Sequence, residues 1–182
     1  MQPMLKPHEK YADLRSGFVW PQPDHLNMSE QVIGGWAKTD PERTAIIDAR
    51  DGISWVSYGD LNALMLRTEA VLRTQGVQPG DRVGVLLSQS PLCAAAHAAV
   101  WRMGAISVPL FKLFREDALR SRLDDAGCRA VLTDTQGQDL MRPFDIKVIT
   151  EADLPVDAAE TPVADTAPDT PAVLIYTSGT TG

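Results

Sequence analysis

The stretch Arg82–Leu110, RVGVLLSQSPLCAAAHAAVWRMGAISVPL, decides how this chain folds. Its first six residues, Arg82-Val83-Gly84-Val85-Leu86-Leu87, show little polar alternation, as a parallel strand covered on both faces requires. Ser90-Pro91 then starts a helix. The serine hydroxyl can cap it, and the proline at the first helical position lacks an N–H that would be unpaired there anyway. Gly104 stops that helix, and Ala105-Ile106-Ser107-Val108 reads as the next strand before Pro109. A strand, a helix and a second strand at this spacing form a parallel pair joined by a right-handed crossover.

The pattern continues in both directions. After the loop Leu110 to Arg115 come a helix from Glu116 to Ala126 ended by Gly127, the strand Ala130-Val131-Leu132-Thr133 and the short strand Asp145-Ile146-Lys147-Val148-Ile149. Strand and helix recur at roughly 25-residue spacing, which predicts an α/β fold: a doubly wound, mostly parallel sheet with flanking helices. Upstream, Gln78-Pro79-Gly80-Asp81 is a turn. Before it lies the best-marked helix, with Ser57 and Asp60 as a variant capping box, Leu61, Leu64, Met65, Thr68, Val71 and Leu72 as its apolar stripe, and Gly76 as a left-handed cap.

Thr44-Ala45-Ile46-Ile47 and Ile53-Ser54-Trp55-Val56 flank Asp51-Gly52 and predict a β-hairpin. Met28 to Ala37 predicts a helix with Val32, Ile33 and Trp36 at helical spacing and Asn27 or Ser29 as its cap. Scattered rings (Tyr11, Phe18, Trp20) among prolines suggest an extended arm at the start. The expected organisation is an arm over residues 1–26, an α/β subdomain over 27–150, an exposed connector over 151–171, acidic and holding Pro155, Pro162, Pro168 and Pro171, with disorder as an alternative, and a strand plus the start of a loop over 172–182.

At 182 residues, with 44% hydrophobic and 23% charged, the chain can bury the core of one globular domain. Its net charge of -7 argues against a nucleic-acid or anionic-membrane surface, since both select basic faces. The apolar run Leu92 to Trp101 is too short to cross a bilayer, and Met1 to Lys10 has no apolar core of a signal peptide, so the expected location is cytoplasmic. Cys93 and Cys128 have no CxxC spacing and read as small core residues; no metal site is expected. His97 reads as a packed or partly exposed residue rather than a base, Asp124-Asp125 as a solvated face, and Trp36, Trp55 and Trp101 as core. Arg102, Lys112 and Arg115 bracket a loop that could meet an anionic ligand.

The chain closes with the apolar segment Ala172-Val173-Leu174-Ile175 followed by Tyr176-Thr177-Ser178-Gly179-Thr180-Thr181-Gly182. Such a run of Ser, Thr and Gly can be a frayed tail or a phosphate-binding turn. Strand-forming residues directly before it favour the turn, which would then sit at a strand's carboxyl end, where open α/β sheets bind ligands. The spacing of Gly179 and Gly182, with no lysine after them, is not that of a GxxxxGK[ST] loop.

This heptapeptide resembles the phosphate-binding signature of the adenylate-forming enzymes, which include acyl-CoA synthetases, luciferases and nonribosomal-peptide adenylation domains. The resemblance covers nearly the whole chain. Phe18-Val19-Trp20, Leu26-Asn27, Trp36-Ala37 and Asp40-Pro41-Glu42-Arg43-Thr44-Ala45 look like the opening of acetyl- and medium-chain acyl-CoA synthetases. Gly80-Asp81-Arg82-Val83, Trp101-Arg102-Met103-Gly104-Ala105, Val108-Pro109-Leu110 and Ala118-Leu119-Arg120-Ser121-Arg122-Leu123 resemble the turn, helix, strand and helix that follow in that family's first subdomain.

The resemblance implies a two-step ligation. A carboxylic acid and ATP give an acyl-adenylate and pyrophosphate, with Mg²⁺ as the metal, and coenzyme A then displaces AMP. By position it assigns the phosphate contacts to Thr177, Ser178, Gly179, Thr180, Thr181 and Gly182. It assigns no catalytic residue, because the family's adenine pocket, metal-binding glutamate, hinge and C-terminal lysine fall later in its chains. These residues alone are therefore expected to be catalytically silent and to associate through apolar faces. The competing expectation is a non-catalytic, partner-binding α/β domain.

Overall fold

The computed structural model describes residues 10–19 and 23–177. Expectations resting on residues 1–9, Trp20 and residues 178–182 lie outside this set.

At the centre is a four-stranded parallel sheet of β3 (Arg82–Leu86), β4 (Ile106–Pro109), β5 (Cys128–Thr133) and β6 (Lys147–Ile149), in the order β4-β3-β5-β6. Strict alternation explains why β3 and β5 read as continuous apolar runs. Val83, Val85, Ala130 and Leu132 point into one core, and Leu86 and Val131 into the other. At Gly84 an added Cβ would lie 3.1 Å from both Leu110 Cδ1 and Val131 Cγ2, so any side chain there would have to push these methyls back.

The first core is roofed by α3 (Tyr58–Thr74) and α4 (Pro91–Arg102). Ser57 Oγ accepts from the Asp60 N–H at 3.1 Å and the Asp60 carboxylate accepts from the Ser57 N–H at 3.3 Å, which completes the capping box. Ser90 Oγ likewise accepts from the Cys93 N–H at 3.1 Å, with Pro91 at the first helical position. Gly76, Gly104 and Gly127 adopt φ of 81, 71 and 59° where helices end.

The second core is covered by α5 (Glu116–Ala126) and α6 (Thr135–Met141). Helix α6 has no counterpart in the hydrophobic spacing. It is one short amphipathic turn capped by Asp134, whose carboxylate accepts from the Gly137 N–H at 3.0 Å. The connections after β3 and β5 thus lie on opposite faces of the sheet, the arrangement that makes it doubly wound.

A separate two-stranded antiparallel sheet, β1 (Thr44–Asp48) with β2 (Ser54–Ser57), is the expected hairpin and pairs Ile47 with Trp55 and Ile46 with Val56. Ile46 and Val56 pack against the first core, but Trp55 is 66% exposed and corrects the expectation that it is core. Trp36 and Trp101 are half-buried: Trp36 stacks on Tyr58 with 5.7 Å between ring centroids and lies 4.5 Å under the Arg43 guanidinium.

The helix expected over 28–37 is present and runs on to Thr39, with a π-turn at Glu30–Gly34 leading into α2 (Gly35–Thr39), where the Gly35 N–H bonds to Glu30 O. Within it Val32 is exposed and Ile33 buried. The arm, expected to be extended, contains the short helix α1 (Tyr11–Gly17), none of whose residues is buried.

Segment 151–171 is ordered along the molecule: a 3-10 turn at Glu151–Asp153, Leu154 inserted in the first core, and a strap pinned by the carbonyls of Arg102 and Leu26. The strand expected at 172–176 reduces to one parallel bridge between Val173 and Ser107.

Candidate nucleotide-binding edge of the sheet

β4 has β3 on one side only, so its outer edge offers unpaired backbone groups. The segment after the strap takes that place. The Ser107 N–H donates to Ala172 O and the Leu174 N–H donates to Ser107 O, both at 2.9 Å. Leu174 and Tyr176 turn into the second core, while Ile175 between them is exposed, so the period-2 alternation of a strand persists past the single bridge. Thr177 follows Tyr176 and is exposed.

The last fixed side chain before Thr177 is Tyr176. Its hydroxyl donates to Asp125 Oδ2 at 2.5 Å and lies 3.3 Å from Arg122 O. Desolvation, followed by that carboxylate, pushes the phenol up to about 12. The Arg122 guanidinium lies 5.6 Å from the Tyr176 ring and 4.2 Å from the Phe114 ring. Asp125, read from the sequence as part of a solvated face, is exposed and anchors this tyrosine; nothing local to α5 signals a partner 51 positions away.

A second feature occupies the switch point between β3 and β5. Lys112 Nζ donates to Ser88 Oγ at 2.8 Å, to the Asp134 carboxylate and to Gln136 Oε1 at 3.4 Å, and so bridges the loops leaving the two strands. Burial acts to raise the Asp134 carboxyl, but the Lys112 ammonium and the Gly137 N–H outweigh it and hold the group below its usual range.

Of the three cations expected around loop 110–115, Lys112 lies at the carboxyl end of β3 and β5 and Arg115 is exposed at the start of α5. Arg102 does not belong with them. It is 1% exposed and paired with Glu69, which corrects its assignment to a ligand loop. His97 lines a groove between β1 and α4 with Asp48, Arg50 and Cys93, and burial pulls its imidazole below the ordinary value. Cys93 and Cys128 are half-buried free thiols, both raised by burial, Cys128 to about 11.

Among the described residues, no group of three or more His, Cys, Asp or Glu side chains is gathered to hold a metal ion, and no helix is long and apolar enough to cross a membrane. Ser178, Gly179, Thr180, Thr181 and Gly182 lie outside the described residues.

Residues 35–182, from the start of α2 through the Ser/Thr/Gly motif, match the family described as AMP-binding enzyme. The chain belongs to the AMP-binding enzyme family. Within it, the chain is 31% identical over 144 residues to "Acetyl-coenzyme A synthetase 2-like, mitochondrial" of Homo sapiens, covering 77% of this chain and 21% of that protein. It is 34% identical over 131 residues to "Acetyl-coenzyme A synthetase 2" of Pseudomonas aeruginosa, covering 70% of this chain and 20% of that protein. The crystal structure of Brucella canis acyl-CoA synthetase superposes with a TM-score of 0.85 at 21% identity, over 96% of this chain and 37% of that one, a likeness of fold. The chain thus spans about a fifth of the length of the acetyl-CoA synthetases it matches.

Proposed function

We propose that this chain supplies the first sheet layer and the phosphate-binding turn of an AMP-forming acid–thiol ligase, which condenses a carboxylic acid with ATP and passes the acyl group to coenzyme A. The observation that supports this reading is the attachment of Ala172 and Leu174 to the outer edge of β4 through Ser107, a few residues before the motif that starts at Tyr176.

The donor set suits a polyphosphate. Thr177, Ser178, Thr180 and Thr181 carry hydroxyls, and Gly179 and Gly182 let backbone N–H groups approach phosphate oxygens without a side chain in the way. Bound Mg²⁺ would neutralise charge developing on the leaving pyrophosphate. Lys112, at the carboxyl end of β3 and β5, and Arg115, at the start of α5, are the cations we assign to anionic groups of coenzyme A or of the substrate. The ion pair with Asp134 holds Lys112 ready for that role. We place the reaction in the cytoplasm.

Since the matched stretch makes up only 20–21% of those relatives, turnover is expected to need the remainder of such a protein. The test is a chimera in which these residues replace the matched stretch of an acetyl-CoA synthetase, assayed by pyrophosphate release from ATP, Mg²⁺ and short carboxylates. The chimera is expected to turn over, and Thr180→Ala or Thr181→Ala to slow it by about 100- to 1000-fold, as losing one preorganised donor does. The 182-residue chain alone is expected to release none. A folded chimera indifferent to both substitutions overturns the assignment of the loop.

A second reading, a partner-binding α/β domain without catalysis, is favoured by the exposed Ile47, Ile53 and Trp55 on the hairpin. Turnover by the chimera decides against it.

A further inference from the structure

Arg102, the last residue of α4, carries the largest fully buried side chain among the described residues. Its guanidinium is 1% exposed and all three nitrogens are used: Nε donates to Glu69 Oε2 at 2.9 Å, Nη1 to Glu30 Oε1 at 3.2 Å, and Nη2 to Thr161 O, with Glu160 Oε1 3.6 Å away. Glu69 is equally buried and also accepts from Arg73 Nη2 at 2.6 Å and from Thr161 Oγ1 at 2.7 Å. Four parts of the chain meet at this one side chain: the π-turn, α3, α4 and the strap.

A buried ion cluster is weak evidence for stability, because desolvation offsets most of the Coulomb gain; its best-attested use is to fix register. Here the element that needs a register is the strap. It is held at Thr166, which exchanges hydrogen bonds with Leu26, at Thr161, and at a series of points between Trp101 and Ser107. Trp101 O and Ala164 O both accept from Asn27 Nδ2, at 2.9 and 3.1 Å, and Arg102 O accepts from the Ala164 N–H at 2.9 Å. Ser107 holds Ala172 and Leu174 through its backbone, while its Oγ accepts from Trp101 Nε1 at 3.0 Å. Between these points the strap is Ala, Asp, Thr and Pro, with almost no large side chain to lock its position.

A slip of one residue would exchange the two faces of the terminal segment, bringing Ile175 inward and Tyr176 outward, and would displace everything after it by about 3.3 Å. A phosphate turn cannot tolerate such a shift.

We propose that Arg102 is a positioning residue: a buried clasp that sets the register of residues 161–174 against β4 and thereby fixes where the phosphate-binding turn begins. This rests on the proposed role of residues 177–182, but the register itself can be measured without nucleotide, so failure of one idea leaves the other standing.

The test is residue-resolved amide exchange on the 182-residue chain. Arg102→Met alone would leave the Glu69 carboxylate buried with only part of its partners, so the informative variant is the double replacement Arg102→Met with Glu69→Met, which keeps the volume filled. It is expected to melt cooperatively and to keep the protection of Val85 and Leu86 in β3, while the Leu174 amide exchanges at least about tenfold faster. Unchanged Leu174 exchange in the folded double variant, or an equal loss throughout β3, overturns the proposal. If the double variant does not fold, Arg102→Lys carries the test: it keeps a cation beside Glu69 but loses the guanidinium branch that donates to Thr161 O, and Leu174 exchange must rise several-fold over that of Val85. No selective rise overturns the proposal.

Discussion

The parallel sheet and the hairpin are made of similarly apolar strands and meet opposite fates. β3 and β5 bury Val83, Val85, Leu86, Ala130, Val131 and Leu132 almost completely, because helices cover both faces. β1 and β2 bury one face against α3 and α4 and leave Ile47 56% and Trp55 66% exposed on the other, with Ile53 beside them at 73%. Apolar composition therefore does not specify burial; the number of layers does. A two-stranded sheet with one covered face is marginal by itself, and the cross-strand Ile47–Trp55 pair shields part of its own apolar area.

Substitutions can break this contrast or sharpen it. The largest effect is expected from Leu86→Ala, which empties a fully buried position beneath α5 and α6 and should cost about 2–5 kcal/mol in urea unfolding. Gly84→Val forces a side chain between Leu110 and Val131, where even a Cβ is tight, and should cost about 1–3 kcal/mol. On the hairpin, Trp55→Lys should change stability by no more than about 0.5 kcal/mol while reducing self-association in sedimentation; a loss as large as that of Leu86→Ala would show that the exposed face is covered in solution.

The smallest effect concerns pH. The Tyr176 phenol is held above its ordinary value, up to about 12, so the folded state binds a proton that the unfolded state releases near pH 10. Its contribution is complete below pH 10 and is lost as pH rises towards 12. Tyr176→Phe should flatten that part of the stability profile, which thermal melts across the window would show.

Much of the architecture was legible because its signals are local. The Ser57–Asp60 capping box, Ser90-Pro91, and the glycines at 76, 104 and 127 each act within one turn, and all operate as the residue types predict. What was illegible depends on distant partners. The pairing of Arg102 with Glu69 spans 33 positions, that of Lys112 with Asp134 spans 22, and that of Tyr176 with Asp125 spans 51. No periodicity encodes such contacts, so Arg102 read as a loop cation rather than a buried one. Nor does helical spacing carry any trace of the Glu30–Arg102 bond, which spans 72 positions, or of the π-turn at Glu30–Gly34.

By itself the sequence determined the alternation of strand and helix, the family motif from Tyr176 to Gly182 and the parallel class of the sheet, because hydrophobic period, capping and turn chemistry are properties of neighbours in the chain. Only the tertiary structure decided that the stretch 151–171 is bonded to the body at Thr161, Ala164 and Thr166, that the segment after it bonds to the edge of β4 through Ser107, and that Trp55 faces outward. Each of these depends on which elements stack on which. A desolvated charge or an open sheet edge takes its partner from whatever the packed layers bring within a few ångströms.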